Sequence, residues 1–531
     1  MMTKTPFDFI VVGAGSAGSV LARRLVDDGK KVAVLEAGGD DSNPMIASLT
    51  SLGGLWHGPE DWDYFTTEQE HCSGRRLHLP RGKVVGGSHA LNAAIWVRGA
   101  KQDYDTWAYI GNPGWSWDDV LPVFKEIENY DGGGSETRGG SGLLDVVKGF
   151  PLNPVQDSIL DAAQEIGIKL NEDYNSGDVE GVSKMQLNIR DGKRFNTWHA
   201  YLKPIVGHEN LTLITGAHVR RLVIEAGTVT GVEYEKDGTL HTLAAAETVL
   251  TAGALNSPEL LLRSGVGSAE ELRLVGVEPV HDLPGVGRNL QDHFLSPVIY
   301  TTTKRGVPFP EIGPAETHLF WKSEPDMAVP DTQPIHFSFP MYDPEWMEGP
   351  ENGFTLMAGL VRPVSRGTLK LSGPGAEDPL LIDLGALREE QDVKALVASV
   401  RQCRELGRAQ ALAQWGAVEL YPGPQVSDEE LEDYVRRTVV TYHHQVGTCK
   451  MGVDTDAVVD PRTLRVRGLA GIRIADASVI PLVPTGNTNA PTIMIAERAA
   501  KFIKAQRNAI AEGHVHAAAL EEGKDHFVGA P

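Results

Sequence analysis

Cysteine is scarce in this chain of 531 residues: Cys72, Cys403 and Cys449 show no C-x-x-C and no paired spacing. That excludes a disulfide-stapled secreted scaffold and predicts a reducing, cytoplasmic setting. No apolar run reaches the roughly eighteen residues of a spanning helix, so no transmembrane segment is predicted. Residues 1–8, MMTKTPFD, are too short and polar to act as a signal peptide. Basic residues are outnumbered, 49 Lys and Arg against 71 Asp and Glu, giving a net charge of −22. Such a surface argues against nucleic acid or an anionic membrane as partner and fits plain solubility. Internal repeats are absent. His514 and His516 in the tail read as solvated, and no metal site is predicted.

What is present begins right behind the N-terminus. The stretch 9-FIVVGAGSAGSVLARRL-25 is a buried-type strand running into Gly13-x-Gly15-x-x-Gly18 and a helix pattern; a second apolar strand, 31-KVAVLEAG-38, ends on Glu36. This βαβ unit is a socket for the adenosine diphosphate half of a dinucleotide. Gly13 allows the tight turn, Gly15 the approach of backbone to pyrophosphate, and Gly18 close helix–strand packing, while the helix N-terminus faces the phosphate charge. Glu36, about twenty residues on, accepts from the ribose hydroxyls. Glu36 serves NAD or FAD equally, so the unit alone does not name the cofactor.

Length implies roughly two to four domains or interleaved ones, and 41% hydrophobic residues with 10 Trp imply well-packed cores. Aromatics gather in 56-WHGPEDWDYF-65. The spacing predicts helices over 116–129, with Ser116 and Asp119 as its cap, and over 257–265, 392–407 and 428–440, the last opened by Ser427 and Glu430. Short strands alternate with turns from 210 to 251. The run 131-DGGGSETRGGSG-142 reads as a mobile loop, 299–390 as Pro-rich with scattered strands, and 508–531 as a flexible tail.

The resemblance becomes specific at 81-RGKVVGGSHALNAAIWVRG-99 and 253-GALNSPELLLRSGVG-267, which resemble the two signatures of the glucose–methanol–choline (GMC) oxidoreductases. The segments 284-PGVGRNLQDH-293, 442-YHHQVGTCKMG-452, 471-GIRIADASVIP-481 and 485-TGNTNAPTIMIAERAA-500 follow in family order, so the resemblance spans nearly the whole chain. It is nearest the choline-dehydrogenase-like, hydroxymethylfurfural oxidase and pyridoxine 4-oxidase branch. It implies FAD and an α/β fold, α+β overall. A Rossmann-like FAD-binding domain (1–145, 195–298, 446–507) interleaves with a β-sheet-plus-helices substrate domain (146–194, 299–445). The small residues Gly86, Gly87 and Ser88 let backbone approach a flat ring. By the same resemblance Asn92 lies near the reactive face of the flavin, Val219 meets the adenine and Asp476 holds the sugar-alcohol chain. Ser16, Ala17, Ala37, Ala93 and Ala477 beside these complete the cofactor contacts. Some members attach FAD through a histidine directly before the equivalent of Asn92. Here that place is Leu91, and His89 lies two positions earlier, where Ser is usual. Noncovalent FAD is therefore expected.

Oxidising an alcohol through a flavin requires removal of the hydroxyl proton and passage of a hydride to the ring. The family's base is the histidine of H-x-V-G-T, here His444, and its partner is Asn487, an amide that donates to the substrate oxygen but cannot replace the base. His443 is read as a pocket wall, Asn489 as structural and Cys449 as inert. Choline-using members hold the trimethylammonium with an acid early in the substrate domain; after His293 this chain shows none until Glu311. A neutral primary alcohol, aromatic or furanic, is the expected substrate, with O2 or a quinone-type carrier as acceptor. The alternatives on the same scaffold are a hydroxynitrile-lyase-like reaction without net redox, or a choline or sugar dehydrogenase.

Overall fold

The computed structural model describes residues 6–344 and 347–511, so His514, His516 and the rest of 512–531 lie outside the described residues. The expected βαβ unit is present as β1 (Phe7–Val12), α1 (Ser16–Asp27) and β2 (Val32–Leu35). Strand β2 is buried along its whole length and β1 from Phe9 onward, as a parallel sheet covered on both faces requires. The sheet is completed from far along the chain by β3 (Leu211–Ile214), β4 (Thr239–Leu250) and, last, β5 (Ile472–Ile474). All five are parallel and level at their carboxyl ends: Leu35 pairs with Val12 and with Ile214, and Leu250 with Val12 and with Ile474. Because β1 lies between β2 and β4, the connections leave it in opposite directions. The crevice beyond Val12 is thus a topological switch point, where ligands of such sheets bind.

Strand β4 serves two structures. Its first half pairs antiparallel with Thr228–Lys236, which pairs in turn with His218–Glu225; its second half lies in the parallel sheet. Helix α2 (Gly253–Arg263) follows β4 directly, and α3 (Asn489–Ala511) packs on α1. Since α3 continues to Ala511, residues 508–511 belong to that helix and not to the expected tail.

A second sheet of antiparallel strands stands over the crevice, in the order Ala417–Tyr421, Phe294–Thr302, Gly353–Leu360, Ile335–Phe337, Ala315–Phe320 and Gly181–Lys184. Across it Pro297, Met357 and Ile335 fall in one row, and with Leu295 and Phe337 they turn an uncharged face towards the cavity below. Helix Glu390–Gly407 packs on the strand Gly353–Leu360. The strand Phe294–Thr302, which spans the expected boundary at 298/299, pairs within this sheet along its length. The helix expected over 428–440 starts only at Leu431: the Glu430 carboxylate accepts from the Ser427 N–H at 2.8 Å and closes a turn before the helix.

The Gly-rich run 131–142 is pinned, contrary to its composition. Arg138 within it is buried, donating through Nε and Nη2 to Glu128 at 2.8 and 3.0 Å and through Nη1 to Asp173 at 2.8 Å. Glu128 is fully buried and also pairs with Arg98, and it accepts from the Gly139 N–H at 2.8 Å. One carboxylate thus bridges two buried guanidinium groups, and Asp173 supplies the second negative charge. Glu128→Ala is expected to cost about 3–5 kcal/mol, the range for stranding a buried partner charge. A lowered denaturant midpoint would register the loss, and a midpoint equal to that of the unchanged protein would refute it.

Candidate active site

At the nucleotide end, α1 lies directly on the turn that precedes it: a Cβ on Gly18 would stand 1.8 Å from the Gly13 carbonyl oxygen. Gly15 opens the helix with no side-chain cap, and the neighbouring Ser16 hydroxyl donates instead to Asn489 Oδ1 at 2.7 Å. The first-turn N–H groups, including that of Ala17, therefore remain available to an anion. The second Gly-rich block closes on the first at Gly87, where φ is +54° and a Cβ would lie 2.8 Å from Gly15 Cα. Two motifs more than seventy residues apart in the chain thus meet backbone to backbone and make one cradle.

Glu36 follows β2 and is buried. Its Oε2 accepts from the Ala14 N–H at 2.8 Å and its Oε1 from the Gly38 N–H at 2.9 Å. Burial pushes its carboxyl up to about 7, against the pull of those two bonds. Asp476 is likewise buried and occupied: Oδ2 accepts from the Gly253 N–H and the Ser257 hydroxyl at 2.9 and 2.6 Å, Oδ1 from the Ser478 N–H and hydroxyl at 2.8 and 2.6 Å. It therefore ties the start of α2 to the turn after β5. Asn92 Oδ1 accepts from the Ala94 N–H and from Arg194, both at 2.9 Å. Gly13, Gly15, Ser16, Ala17, Glu36, Ala37, Gly87, Asn92, Ala93, Val219, Asp476 and Ala477 all border one continuous cavity of about 790 Å³. Gly18 acts beneath it through packing. The Cβ-free cradle and uncapped helix match what a dinucleotide's pyrophosphate needs. Leu91 lines the cavity, whereas His89 is fully buried outside its lining, with Nδ1 accepting from the Thr197 N–H at 3.4 Å. Burial and the adjacent Arg194 hold His89 down at about 3.

His444 and Asn487 border the other end of the same cavity and touch: Asn487 Nδ2 lies 3.1 Å from His444 Nε2. Asn487 Oδ1 accepts from Gln333 Nε2 at 3.3 Å, which turns the amide's donor side towards the histidine. On its far side His444 Nδ1 lies 2.9 Å from His293 Nδ1. Asp292 organises the turn: Oδ1 accepts the N–H groups of His444 and His293 at 2.7 and 2.9 Å, and Oδ2 accepts from Thr441 and Gln445. Burial first, then His293, His443 and Arg81, hold His444 well below the ordinary histidine range. His443 takes φ +64°, its carbonyl accepts from Arg81 at 2.6 Å and its ring meets Trp56 edge-on at 5.2 Å, as a wall residue would. Asp292, His293 and Gln333 escaped the sequence reading. The first two stand in a recognised block, but nothing in their spacing marks contact with residues about 150 positions later.

Among the described residues one group has metal-compatible donors, His57, Asp63 and His78 near the mouth. Its imidazoles stack at 4.0 Å and 25°, an arrangement in which both rings cannot hold one ion in plane. Asp63 Oδ1 already bridges His57 and His78 at 2.6 and 3.0 Å.

No helix among the described residues is long and apolar enough to cross a membrane. Residues 7–295 and 363–496 match the N- and C-terminal family profiles described as GMC oxidoreductase. The chain is 38% identical over 529 residues to an alcohol dehydrogenase [acceptor] of Pseudomonas putida, covering 94% of this chain and 95% of the relative. It is 36% identical to an oxygen-dependent choline dehydrogenase of Rhizobium etli, covering 93% and 95%. The solved pyridoxine 4-oxidase from Mesorbium loti superposes with a TM-score of 0.90 at 35% identity, covering 96% of this chain and all (100%) of that one. With both profiles matched and nearly the full length shared with these relatives, the chain belongs to the GMC oxidoreductase family.

Proposed function

We propose that this protein oxidises a neutral primary alcohol, aromatic or furanic, to the aldehyde, with His444 as the base. Membership of the family makes it an FAD-dependent oxidoreductase acting on the CH–OH group of its donors. The observation that carries the finer reading is the His444–Asn487 contact. An amide nitrogen only donates, so the Nε2 facing it in the cavity carries a lone pair and no proton. That is the state a base needs before it meets a hydroxyl.

FAD, when bound, supplies the acceptor for the hydride leaving the alcohol carbon. The residues proposed to hold it are Gly13, Gly15, Ser16, Ala17 and Gly18 at the pyrophosphate; Glu36 and Ala37 at the ribose; Val219 at the adenine; Asp476 and Ala477 along the sugar-alcohol chain; and Gly87, Asn92 and Ala93 at the ring. The position of His89 outside the cavity and Leu91 within it support noncovalent binding. His444 takes the hydroxyl proton on Nε2, and the Asn487 amide donates to the substrate oxygen. Leu295, Pro297, Ile335, Phe337 and Met357 offer no counter-charge to a trimethylammonium group, and Asp343, which also borders the cavity, faces the Arg75 guanidinium. This favours a neutral alcohol over choline, although choline is named for a relative. Electrons then pass to O2 or to a quinone-type carrier; an oxidase and an acceptor-linked dehydrogenase both stand among the similar proteins. Three buried, free cysteines accord with a reducing cytoplasm.

His444→Ala is expected to keep its flavin and lose turnover by at least ~10²; undiminished turnover would remove His444 from this role. The sign of the pH dependence follows from the state required. A base must be unprotonated, and its neighbours lower its pKa. The acid limb of kcat/KM should therefore lie well below the ordinary histidine value of about 6.5. A limb centred at or above that value would contradict the assignment. Acid precipitation of the purified protein should release the flavin into solution, and colour retained on the pellet would mean a covalent bond.

A further inference from the structure

Behind the base stands a second imidazole where a carboxylate would be the stronger support. The contact between His444 Nδ1 and His293 Nδ1 is 2.9 Å, with the rings nearly perpendicular at 87°. The proton positions follow by elimination. Gln333 donates to Asn487 Oδ1, so the Asn487 amide nitrogen faces His444 Nε2, which must accept. A neutral ring then carries its one proton on Nδ1 and donates it to His293, whose Nδ1 accepts and whose own proton sits on Nε2.

His293 is held firmly in place. It is fully buried, its backbone N–H and that of His444 are held by the same Asp292 oxygen, and Tyr442 lies against its edge while stacking on His444 at 4.5 Å. We infer that His293 is the positioning residue of the reaction, a neutral acceptor that fixes the tautomer of His444 and raises its proton affinity less than a carboxylate would. The inference rests on the reading of His444 as the base.

The charges around the pair agree with that division of labour. His443 and Arg81 face His444 from the cavity side, Asp292 lies beneath both backbones, and Arg362 faces His293 with its own guanidinium paired to Asp103. Tyr442, Asn487 and Gln333 contribute no charge. A carboxylate in place of His293 would stabilise the imidazolium directly and hold the base protonated to higher pH. With an imidazole there, the proton taken from the alcohol lands on His444 Nε2 while the Nδ1–H bond to His293 becomes charge-assisted at that moment.

Three variants separate this from a packing role: His293→Leu has no acceptor, His293→Asn a neutral one near the place of Nδ1, and His293→Asp a charged one there. Each is measured as flavin-loaded protein for flavin content, pH profile of kcat/KM and the low-field proton resonance of the buried Nδ1–H. His293→Leu is expected to keep its flavin, lose the resonance and slow by at least ~10-fold. His293→Asn should recover to within about threefold, and His293→Asp should move the acid limb upward by about one pH unit or more relative to His293→Asn. A fully active Leu variant, or Asn as slow as Leu, would overturn the inference. If the Leu variant does not fold, the Asn–Asp pair decides alone, and coincident acid limbs sink it. His444→Ala run in parallel tests the base itself: if it remains active, the reading of His444 fails first and this inference with it.

Discussion

The site depends on a register. Five parallel strands drawn from residues 7 to 474 end level, at Val12, Leu35, Ile214, Leu250 and Ile474, and Gly13, Glu36 and Asp476 each follow one of those ends. Glu36 comes one residue after Leu35 and Asp476 two after Ile474. Were β4 to slip by one residue, its alternate side chains would exchange faces and α2 would no longer start beside Asp476. The close approach of Gly87 to Gly15 is a second expression of the same register, since backbone meets backbone only where the turn after Val12 is correctly placed.

Over this crevice the second sheet adds an uncharged face, and His444 and Asn487 lie where the two meet. Burial keeps the imidazoles there neutral: His293 and His443 are held at about 3, and His444 well below its ordinary range. A cluster of neutral rings accepts and donates hydrogen bonds in a definite pattern, whereas cations would repel one another in so little space. Arg81 provides local positive charge, and its guanidinium is spent on the carbonyls of Pro80 and His443.

Much of the nucleotide site was legible because its signals are local: strand, turn, helix and acid stand within about thirty residues. The family blocks extended this to His444 and Asn487, which the fold brings into contact. The failures share a cause. Arg138 overrides a Gly-rich stretch because its partners, Glu128 and Asp173, lie outside the run. Asp292 and His293 act on residues about 150 positions away, and Gln333 reaches Asn487 from a strand of the other sheet. Asp476 has both oxygens engaged by the protein, a double duty that a motif match alone does not reveal.

The late arrival of β4 and β5 has a consequence for how the molecule is made. When the ribosome has delivered β1, α1 and β2, one edge of β1 still awaits β4, more than two hundred residues downstream, and β4 in turn awaits β5 at Ile472–Ile474. At synthesis rates of about 5–20 residues per second, the nascent chain carries an incomplete sheet for tens of seconds. Its strands are apolar on both faces, and that open edge is a template for wrong pairing. The cofactor therefore meets a finished cradle only after Ile472–Ile474 has emerged and paired with β4.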